Sequence, residues 1–362
     1  MKIEIYPSQL EGTIRIPGSK SAAQRFLAGA LMSNGKTIIR EFPQGDDVES
    51  SLKIIQALGA VVQQKGNQVE IKGGFPSSFR SGIRNPKAEI QCGESGLAAR
   101  MFIPISALHN ETITVNGTGS LLSRPFDGIV EPLESLGAKV KTNSTYLPVQ
   151  IKGPLRGGSA TVDGRLSSQF LSGLLFALPL CKLDSELTVE QLKSKPYISM
   201  SLEILRSFRI EIEQVDSTLF RIAGNQVFQA QDCTVPGDWS GAACIIVAGV
   251  LCSEQGIVLE GLSNQLTQGD AAIAQILKKM GASIEQKSNS IRVSKSTIRA
   301  FEFDATDCPD LFPPLCALAA FADGPSVLKG ANRLRHKESN RGKRSRKNWE
   351  RPISALYFGI MK

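Results

Sequence analysis

Residue types that mark special environments are scarce in this sequence. Aromatic residues make up 6% of the 362 residues, and the only histidines are His109 and His336. The seven cysteines show no CxxC pairing, so a Cys/His metal site is not expected. The longest apolar runs, such as 243–252, are too short to span a bilayer, and the first residues lack the layout of a signal peptide. We therefore expect a cytoplasmic protein with buried free thiols and no membrane contact.

Positive charge is concentrated at one end of the chain. The formal net charge is +8, and residues 342–362 hold six basic side chains against one acid. The remainder has only a small basic excess, too little for a general polyanion-binding surface, and no nucleic-acid partner is expected. The alternative is a nucleic-acid-binding module that uses the basic tail. Its binding would be salt-sensitive and would vanish without residues 342–362.

Two patterns alternate along the chain and form a repeat of about 70 residues. One is a short strand, a polar loop of small residues and a helix that is apolar all round, over 13–32, 88–108, 160–180, 233–251 and 301–321. The other is an amphipathic helix followed by a hairpin, over 52–73, 130–153, 202–224 and 273–295. The repeating unit is therefore βαβαββ, which predicts an α/β fold.

The ends of the amphipathic helices follow one rule with one exception. Gly59, Gly137 and Gly281 lie where a helix C-terminus needs a residue with positive φ. In the remaining helix Arg209 occupies that place.

The loops before the apolar helices predict an anion-binding site. Free N–H groups and the positive end of the helix dipole favour anions at such positions. Several loops also have a basic residue nearby, namely Lys20, Arg25 and Arg100. Five loops in register indicate helix N-termini gathered around a small polyanionic ligand. For any single loop, serine and aspartate that merely cap a helix explain the pattern equally well.

Eight short segments resemble, in order, those of the EPSP synthase family of enolpyruvyl transferases. They are PGSKSAAQR (17–25), CGESGLAAR (92–100), LSRPFDGIVEPLESLGA (122–138), DGRLSSQF (163–170), SKPYISM (194–200), QGD (268–270), DCPD (307–310) and LRHKESNR (334–341). The resemblance extends from the N-terminus to Arg341.

The resemblance implies a two-domain inverse α/β prism of repeated βαβαββ units, with the last unit largely missing. The chain of this family crosses between its domains twice. We therefore expect a discontinuous first domain, 1–16 with 226–341, a second domain, 17–225, and an atypical basic tail, 342–362.

The resemblance also implies a reaction. The enolpyruvyl group of phosphoenolpyruvate is transferred to the 5-hydroxyl of shikimate-3-phosphate, and phosphate is released, in the pathway to chorismate and the aromatic amino acids. No metal or organic cofactor is needed, and a monomer is expected. A relative of the UDP-N-acetylglucosamine enolpyruvyl transferases, which share the fold, is a further alternative. The segments PGSKS, SSQF and KES favour shikimate phosphate.

Site residues follow from their positions in the family's motifs. Lys20, Asp310 and Glu338 would be catalytic: Asp310 as the base at the 5-hydroxyl, and Glu338 as the proton donor and acceptor at the methylene. Shikimate-3-phosphate would be bound by Lys20, Ser21, Arg25, Ser167, Ser168, Gln169, Ser194, Tyr197, Asp310 and Lys337. Phosphoenolpyruvate would be bound by Lys20, Gly96, Arg124, Gln169 and Arg341.

Two positions depart from the motifs. Gln24 stands before Arg25, where the family often has asparagine. Asn340 stands where the family has an aspartate before the arginine, so an acid is lost.

The tail also departs from the repeat, which predicts a fifth amphipathic helix ending in Leu-Gly near 350–353. The chain instead has RSRKNWERP, with a helix-breaking proline at Pro352. Restoring one nucleotide before the codon of Arg344 would place Leu-Gly within the codons of residues 348–350. We hypothesise that the tail is a frameshift product. A truncated, catalytically impaired form that still binds shikimate-3-phosphate weakly is the corresponding alternative for function.

Overall fold

The computed structural model describes Glu4 and residues 9–73, 88–126, 128–164 and 168–336. The helices are α1 (Lys20–Met32), α2 (Asp46–Ala57), α3 (Gly96–Ser106), α4 (Val130–Ser135), α5 (Ser168–Ala177), α6 (Lys195–Ser207), α7 (Trp239–Cys252), α8 (Ala272–Lys279) and α9 (Phe312–Ala319). The strands that alternate with them are β1 (Gly12–Arg15), β2 (Lys36–Arg40), β3 (Val61–Lys65), β4 (Gln68–Lys72), β5 (Glu89–Gln91), β6 (Thr112–Asn116), β7 (Lys139–Asn143), β8 (Tyr146–Lys152), β9 (Gly158–Asp163), β10 (Ser185–Glu190), β11 (Ile212–Gln214), β12 (Leu219–Ile222), β13 (Asp232–Thr234), β14 (Ile257–Glu260), β15 (Ser283–Gln286), β16 (Ser290–Ser294), β17 (Glu302–Asp304) and β18 (Val327–Lys329).

The chain divides into two compact units. Unit 1 comprises Met1–Pro17 and Pro236–Lys362, and unit 2 comprises Gly18–Val235. The expectation from the sequence differs, since it places 226–235 in the discontinuous domain. These residues belong to unit 2 because β13 pairs in parallel with β2, with Cys233 opposite Ile39.

The described part of unit 2 contains three four-stranded sheets of one design, with strand orders β13-β2-β4-β3, β5-β6-β8-β7 and β9-β10-β12-β11. In each sheet a parallel pair is extended by an antiparallel hairpin. The apolar helices α1, α3 and α5 belong to the core of this unit, and nearly all of their side chains are buried. A Cβ at Gly173 of α5 would lie 2.5 Å from the Met101 carbonyl oxygen of α3, so only glycine allows these helices to approach so closely.

The amphipathic helices α2, α4, α6 and α8 bury one face each and end in the same backbone conformation. The residue two positions after each helix has positive φ: Gly59 (105°), Gly137 (101°), Arg209 (64°) and Gly281 (85°). Arg209 replaces the glycine of the other three helices, yet its backbone adopts the same left-handed conformation despite its Cβ.

Unit 1 repeats the design with the sheet β1-β14-β16-β15 and adds the parallel pair β17-β18. Its core is formed by α7, α8 and α9 with the inner faces of these strands, and Trp239 at the start of α7 is fully buried. The repeated β-α units and the division into two compact units agree with the predicted two-domain α/β fold.

The cysteines are all free thiols, as predicted, but not all are buried. Cys244 and Cys252 are exposed on α7, because the exposed side of this helix also consists of apolar and small residues. The prediction of buried thiols is wrong for these two, and Cys233 is only partly buried. Within the described parts of the chain, no helix has the length and apolar character needed to cross a membrane.

Candidate anion-binding site

Two arginines and an amide converge on the first residue of α3. Ser95 caps this helix, and Gly96 follows as its first residue. A Cβ added at Gly96 would lie 2.7 Å from Nη1 of Arg124, 2.9 Å from Nη1 of Arg100 and 3.8 Å from Oε1 of Gln169. The space left by the missing side chain is therefore surrounded by two cations and a polar amide at a helix N-terminus, an arrangement that suits an anion.

Arg100 is held in place by uncharged partners. Its Nη2 donates to the Pro125 carbonyl at 2.8 Å, and its guanidinium lies 4.6 Å from the centre of the Phe126 ring. Burial and, to a lesser extent, the neighbouring charge of Arg124 together lower the pKa of Arg100 to about 10. Arg100 is still protonated at neutral pH, so two like charges face each other here, and a bound anion would relieve their repulsion.

The turn before α3 is tied to the segment that carries Arg124. Glu94 accepts hydrogen bonds from the Ser120 hydroxyl at 2.6 Å and from the Ser120 amide at 2.9 Å. These bonds, and to a lesser extent the charge of Arg124, hold the pKa of Glu94 below its ordinary value. The ionised Glu94 therefore fixes the 3-10 helix Gly119–Ser123, which precedes Arg124 directly.

Lys20, the first residue of α1, pairs with a carboxylate of α2. Its Nζ lies 2.8 Å from Oδ2 of Asp47. Gln24, one turn further along α1, connects the same helices: its Nε2 lies 3.0 Å from the Asp47 carbonyl, 3.0 Å from Oγ of Ser51 and 3.1 Å from Oγ of Ser95. The Gln24 side chain thus links α1, α2 and the N-terminus of α3, which a shorter asparagine would do less easily.

Arg25 is a buried cation whose partners in the described chain are uncharged oxygens and a ring. Its Nε donates to Oγ of Ser201 at 2.8 Å, its Nη1 to the Ser21 carbonyl at 2.8 Å and its Nη2 to Oγ of Ser172 at 3.3 Å. The guanidinium lies 6.0 Å from the centre of the Tyr197 ring. Burial lowers the pKa of Arg25 to about 10, so it keeps its charge at neutral pH.

Other predicted residues lie at the N-termini of α5 and α6. Ser168 is the first residue of α5 and is buried, and Gln169 follows it. Ser194 precedes α6 in the left-handed conformation, with φ 56° and ψ 43°, and Tyr197 lies in the first turn of that helix. A non-glycine residue in this conformation is strained, and such strain concentrates at functional sites. Ser167 lies outside the described residues.

Asp310 is the one predicted site residue that the structure describes in unit 1. It lies in the 3-10 helix Pro309–Leu311, next to Cys308. Burial and, to a lesser extent, nearby carboxylates that include Asp270 and Asp310 together raise the pKa of Cys308 to about 12. The remaining predicted residues, Lys337, Glu338 and Arg341, lie outside the described residues, as does the tail 342–362.

A family comparison decides the class of protein. The model of EPSP synthase (3-phosphoshikimate 1-carboxyvinyltransferase) matches residues 6–351. The chain belongs to the EPSP synthase family. It is therefore a transferase of the enolpyruvyl type in aromatic biosynthesis, as the sequence predicted.

Relatives of this chain are named 3-phosphoshikimate 1-carboxyvinyltransferase. The 3-phosphoshikimate 1-carboxyvinyltransferase of Clostridium kluyveri is 37% identical over 340 residues, which are 94% of this chain and 78% of the relative. That of Clostridioides difficile is 34% identical over 344 residues, with the same shares of both chains.

Solved structures agree with the fold. An EPSP synthase from Acinetobacter baumannii matches with a TM-score of 0.77 and 25% identity, over 92% of this chain and 77% of that one. The enolpyruvyl transferase NikO from Streptomyces tendae matches with a TM-score of 0.67 over 88% of this chain and 75% of that one. At 18% identity, the NikO match supports the fold alone.

Within this chain, unit 2 brings predicted residues together in two groups. One group is Gly96, Arg124 and Gln169. The other is Ser21, Arg25 and Tyr197. The site prediction omitted Arg100 and Glu94, although both lie in the segment CGESGLAAR that carried part of the resemblance. The position of Arg100 beside a loop that favours anions is the feature of the sequence that could have identified it as a site residue.

Over the residues that the structure describes, acidic, histidine and cysteine side chains form no cluster that could hold a metal ion.

Proposed function

We propose that the space at Gly96 binds phosphoenolpyruvate and that the surroundings of Arg25 bind shikimate-3-phosphate. The observation that carries this proposal is the convergence of two guanidinium groups on a glycine at a helix N-terminus. Both substrates are anions, so they can share one site only if several cations offset their mutual repulsion and orient them.

The phosphoenolpyruvate subsite rests on Arg124, with Gly96, Gln169 and Lys20. Arg124 is 8% exposed, and a buried guanidinium can donate two parallel hydrogen bonds to a phosphate or carboxylate. We add Arg100 to this subsite because its Nη1 would lie 2.9 Å from a Cβ at Gly96. Arg341 completes the set that the family's motif implies.

The shikimate-3-phosphate subsite rests on Arg25 and on the N-termini of three helices. Ser21 lies in the first turn of α1, Ser168 is the first residue of α5, and Ser194 directly precedes α6. N–H groups and hydroxyls at such positions favour a phosphate. Tyr197 and Arg25 stand beside each other, 6.0 Å from ring centre to guanidinium. Ser167, Gln169, Asp310 and Lys337 are the further residues that the motifs assign to this substrate.

The proposed chemistry needs a proton donor and a base. Protonation of the phosphoenolpyruvate methylene by Glu338 makes C2 electrophilic, and the 5-hydroxyl attacks C2 while Asp310 takes its proton. The resulting ketal loses phosphate as the methyl group returns a proton to Glu338, which restores the double bond. Lys20, paired with Asp47 at 2.8 Å, supplies a cation that contacts both substrates.

The test is phosphate release from phosphoenolpyruvate by the purified chain, with and without shikimate-3-phosphate. Release that requires shikimate-3-phosphate is expected, and Arg124→Ala should lower kcat/KM roughly a hundredfold because an oriented cation is lost. The matched control is Arg221→Ala: Arg221 is exposed, pairs with Glu186 at 3.2 Å and should not matter. Release without shikimate-3-phosphate, or an Arg124→Ala enzyme as active as the wild type, would contradict the proposal.

Other outcomes identify the alternatives. Binding of shikimate-3-phosphate without phosphate release would identify the catalytically impaired form, and turnover of UDP-N-acetylglucosamine would identify the related wall-synthesis enzyme. Cytoplasmic location and a monomeric state stay predictions. Both are checked on the native protein, by cell fractionation and by light scattering.

A further inference from the structure

A pair of buried serines joins the two helices beside Arg25. Ser172 lies on α5 and Ser201 on α6, and their Oγ atoms are 2.9 Å apart. Both side chains are completely buried. Neither serine belongs to the residues assigned to a substrate above.

The two hydroxyls connect Arg25 to the backbone of two predicted site residues. Ser201 accepts from Nε of Arg25 at 2.8 Å and donates to the Tyr197 carbonyl at 2.8 Å. Ser172 accepts from Nη2 of Arg25 at 3.3 Å, and its Oγ lies 3.0 Å from the Ser168 carbonyl. The pair therefore holds the guanidinium of α1 against the first turns of α5 and α6.

The hydrogen-bond capacity of the pair suits this task. A hydroxyl has one proton to donate and can accept two bonds. The Nε–H and Nη2–H groups of Arg25 can only donate, so Ser201 and Ser172 face them as acceptors. Because both acceptors are fixed on buried helix faces, the guanidinium has one favoured orientation.

The pair also leaves the charge of Arg25 intact. Among the described residues, the acceptors of Arg25 are two hydroxyls and the Ser21 carbonyl, and none is a carboxylate. These acceptors use three of the five N–H groups of a guanidinium. A carboxylate in place of either serine would neutralise the cation, whereas serine orients it and leaves its charge for an anionic ligand.

We propose that Ser172 and Ser201 are positioning residues for shikimate-3-phosphate. They act by fixing the Arg25 guanidinium relative to Ser168 and Tyr197. This inference rests on the proposed role of Arg25 in the shikimate-3-phosphate subsite.

The experiment compares Ser201→Ala, Ser172→Ala and the double variant in the full chain. Titration calorimetry gives the Kd for shikimate-3-phosphate, and steady-state phosphate release gives KM for each substrate and kcat. Each single variant should weaken shikimate-3-phosphate about tenfold, because a hydrogen bond to a charged group is lost. The KM for phosphoenolpyruvate should stay within about twofold, since the Gly96 subsite uses other residues.

Two controls separate positioning from packing. Ser106→Ala removes a fully buried helical hydroxyl of α3 that has no hydrogen-bond partner in the described chain, and it should leave the affinity for shikimate-3-phosphate unchanged. Ser201→Thr and Ser201→Val have nearly the same volume and differ in the hydroxyl. Threonine should restore the affinity and valine should not, even if both lower the Tm.

Distinct results overturn the inference and the assignment on which it rests. Unchanged affinity for shikimate-3-phosphate in folded Ser172→Ala and Ser201→Ala, or equal affinity of the threonine and valine variants, would refute the positioning role. Arg25→Lys tests the assignment itself: if it binds shikimate-3-phosphate as well as the wild type, Arg25 is not a ligand and the serines only pack. A wild-type chain that does not bind shikimate-3-phosphate would overturn both.

Discussion

At the scale of single residues, the absent side chain of Gly96 matters as much as the arginines around it. The side chains of Arg100, Arg124 and Gln169 converge on the position that a Cβ of residue 96 would occupy. A methyl group there would meet two guanidinium nitrogens at under 3 Å, so both arginines would have to shift. The glycine thus keeps open the volume that an anion needs.

Gly96→Ala should therefore impair phosphoenolpyruvate binding selectively. We expect its KM to rise roughly ten- to a hundredfold, because the bound anion is displaced by the order of 1 Å. The KM for shikimate-3-phosphate should change little. Steady-state kinetics with each substrate varied in turn measures both values.

Gly241→Ala is the matched control for this substitution. Gly241 lies in the first turn of the apolar helix α7, and a Cβ there would meet nothing nearer than 4.0 Å. The kinetic constants should not change. Equal effects at Gly96 and Gly241 would show that loss of a helical glycine, rather than filling of the site, is responsible.

The residues of the site could be predicted only in part. Lys20, Gly96 and Arg124 lie in short contiguous motifs, which is why the sequence alone is enough to propose them. The contacts of Arg25 with Ser172 and Ser201 join residues 147 and 176 positions apart. No local pattern marks such contacts, because they depend on how separate helices pack.

At the scale of the elements, the periodicity of the sequence was a good guide. The four amphipathic helices end where the sequence placed their ends, since the spacing of apolar residues and the terminal glycines report the same local geometry. The exposed side of α7 was missed. A helix that is apolar all round predicts burial, yet Cys244 and Cys252 are exposed.

Arg209 offers a test of the helix-end rule. Arg209 adopts the left-handed conformation, with φ 64°, and glycine occupies the corresponding position after each of the other three amphipathic helices. Arg209→Gly should therefore raise the free energy of unfolding by about 1 kcal/mol, because the Cβ no longer opposes this conformation. Chemical denaturation monitored by circular dichroism measures the change.

The control is the same substitution one turn earlier. Arg206 lies inside α6, in the last turn. Arg206→Gly should lower the free energy of unfolding by about 1 kcal/mol, since glycine is a poor helix former there. If the two substitutions shift stability in the same direction, the explanation from backbone conformation fails.

At the scale of the whole molecule, acid should destabilise the fold through His109. Burial lowers the pKa of His109 to about 4, from an ordinary value of 6.5. Between these values the unfolded chain binds a proton that the folded chain does not, so stability falls as the pH drops through this window. The loss should amount to at most about 3 kcal/mol between pH 6.5 and pH 4.

The pH dependence of His109→Gln isolates this contribution. Carboxylates also titrate in the same range, but they do so in the wild type and the variant alike. The free energy of unfolding of the wild type, relative to that of the variant, should therefore fall as the pH drops from 6.5 to 4. Parallel profiles would mean that His109 is protonated as easily in the folded chain as in the unfolded one.

The pairing of β1 with β14 delays the folding of β1 during synthesis on the ribosome. Thr13 lies opposite Val258, so the first strand must wait for about 240 further residues before its partner exists, which takes some 10 to 50 seconds at ordinary rates of translation. During that time its backbone donors and acceptors are open to any other strand. The edge of β1 is thus exposed to mispairing until β14 is made, and chaperone binding at β1 would protect the yield of folded protein.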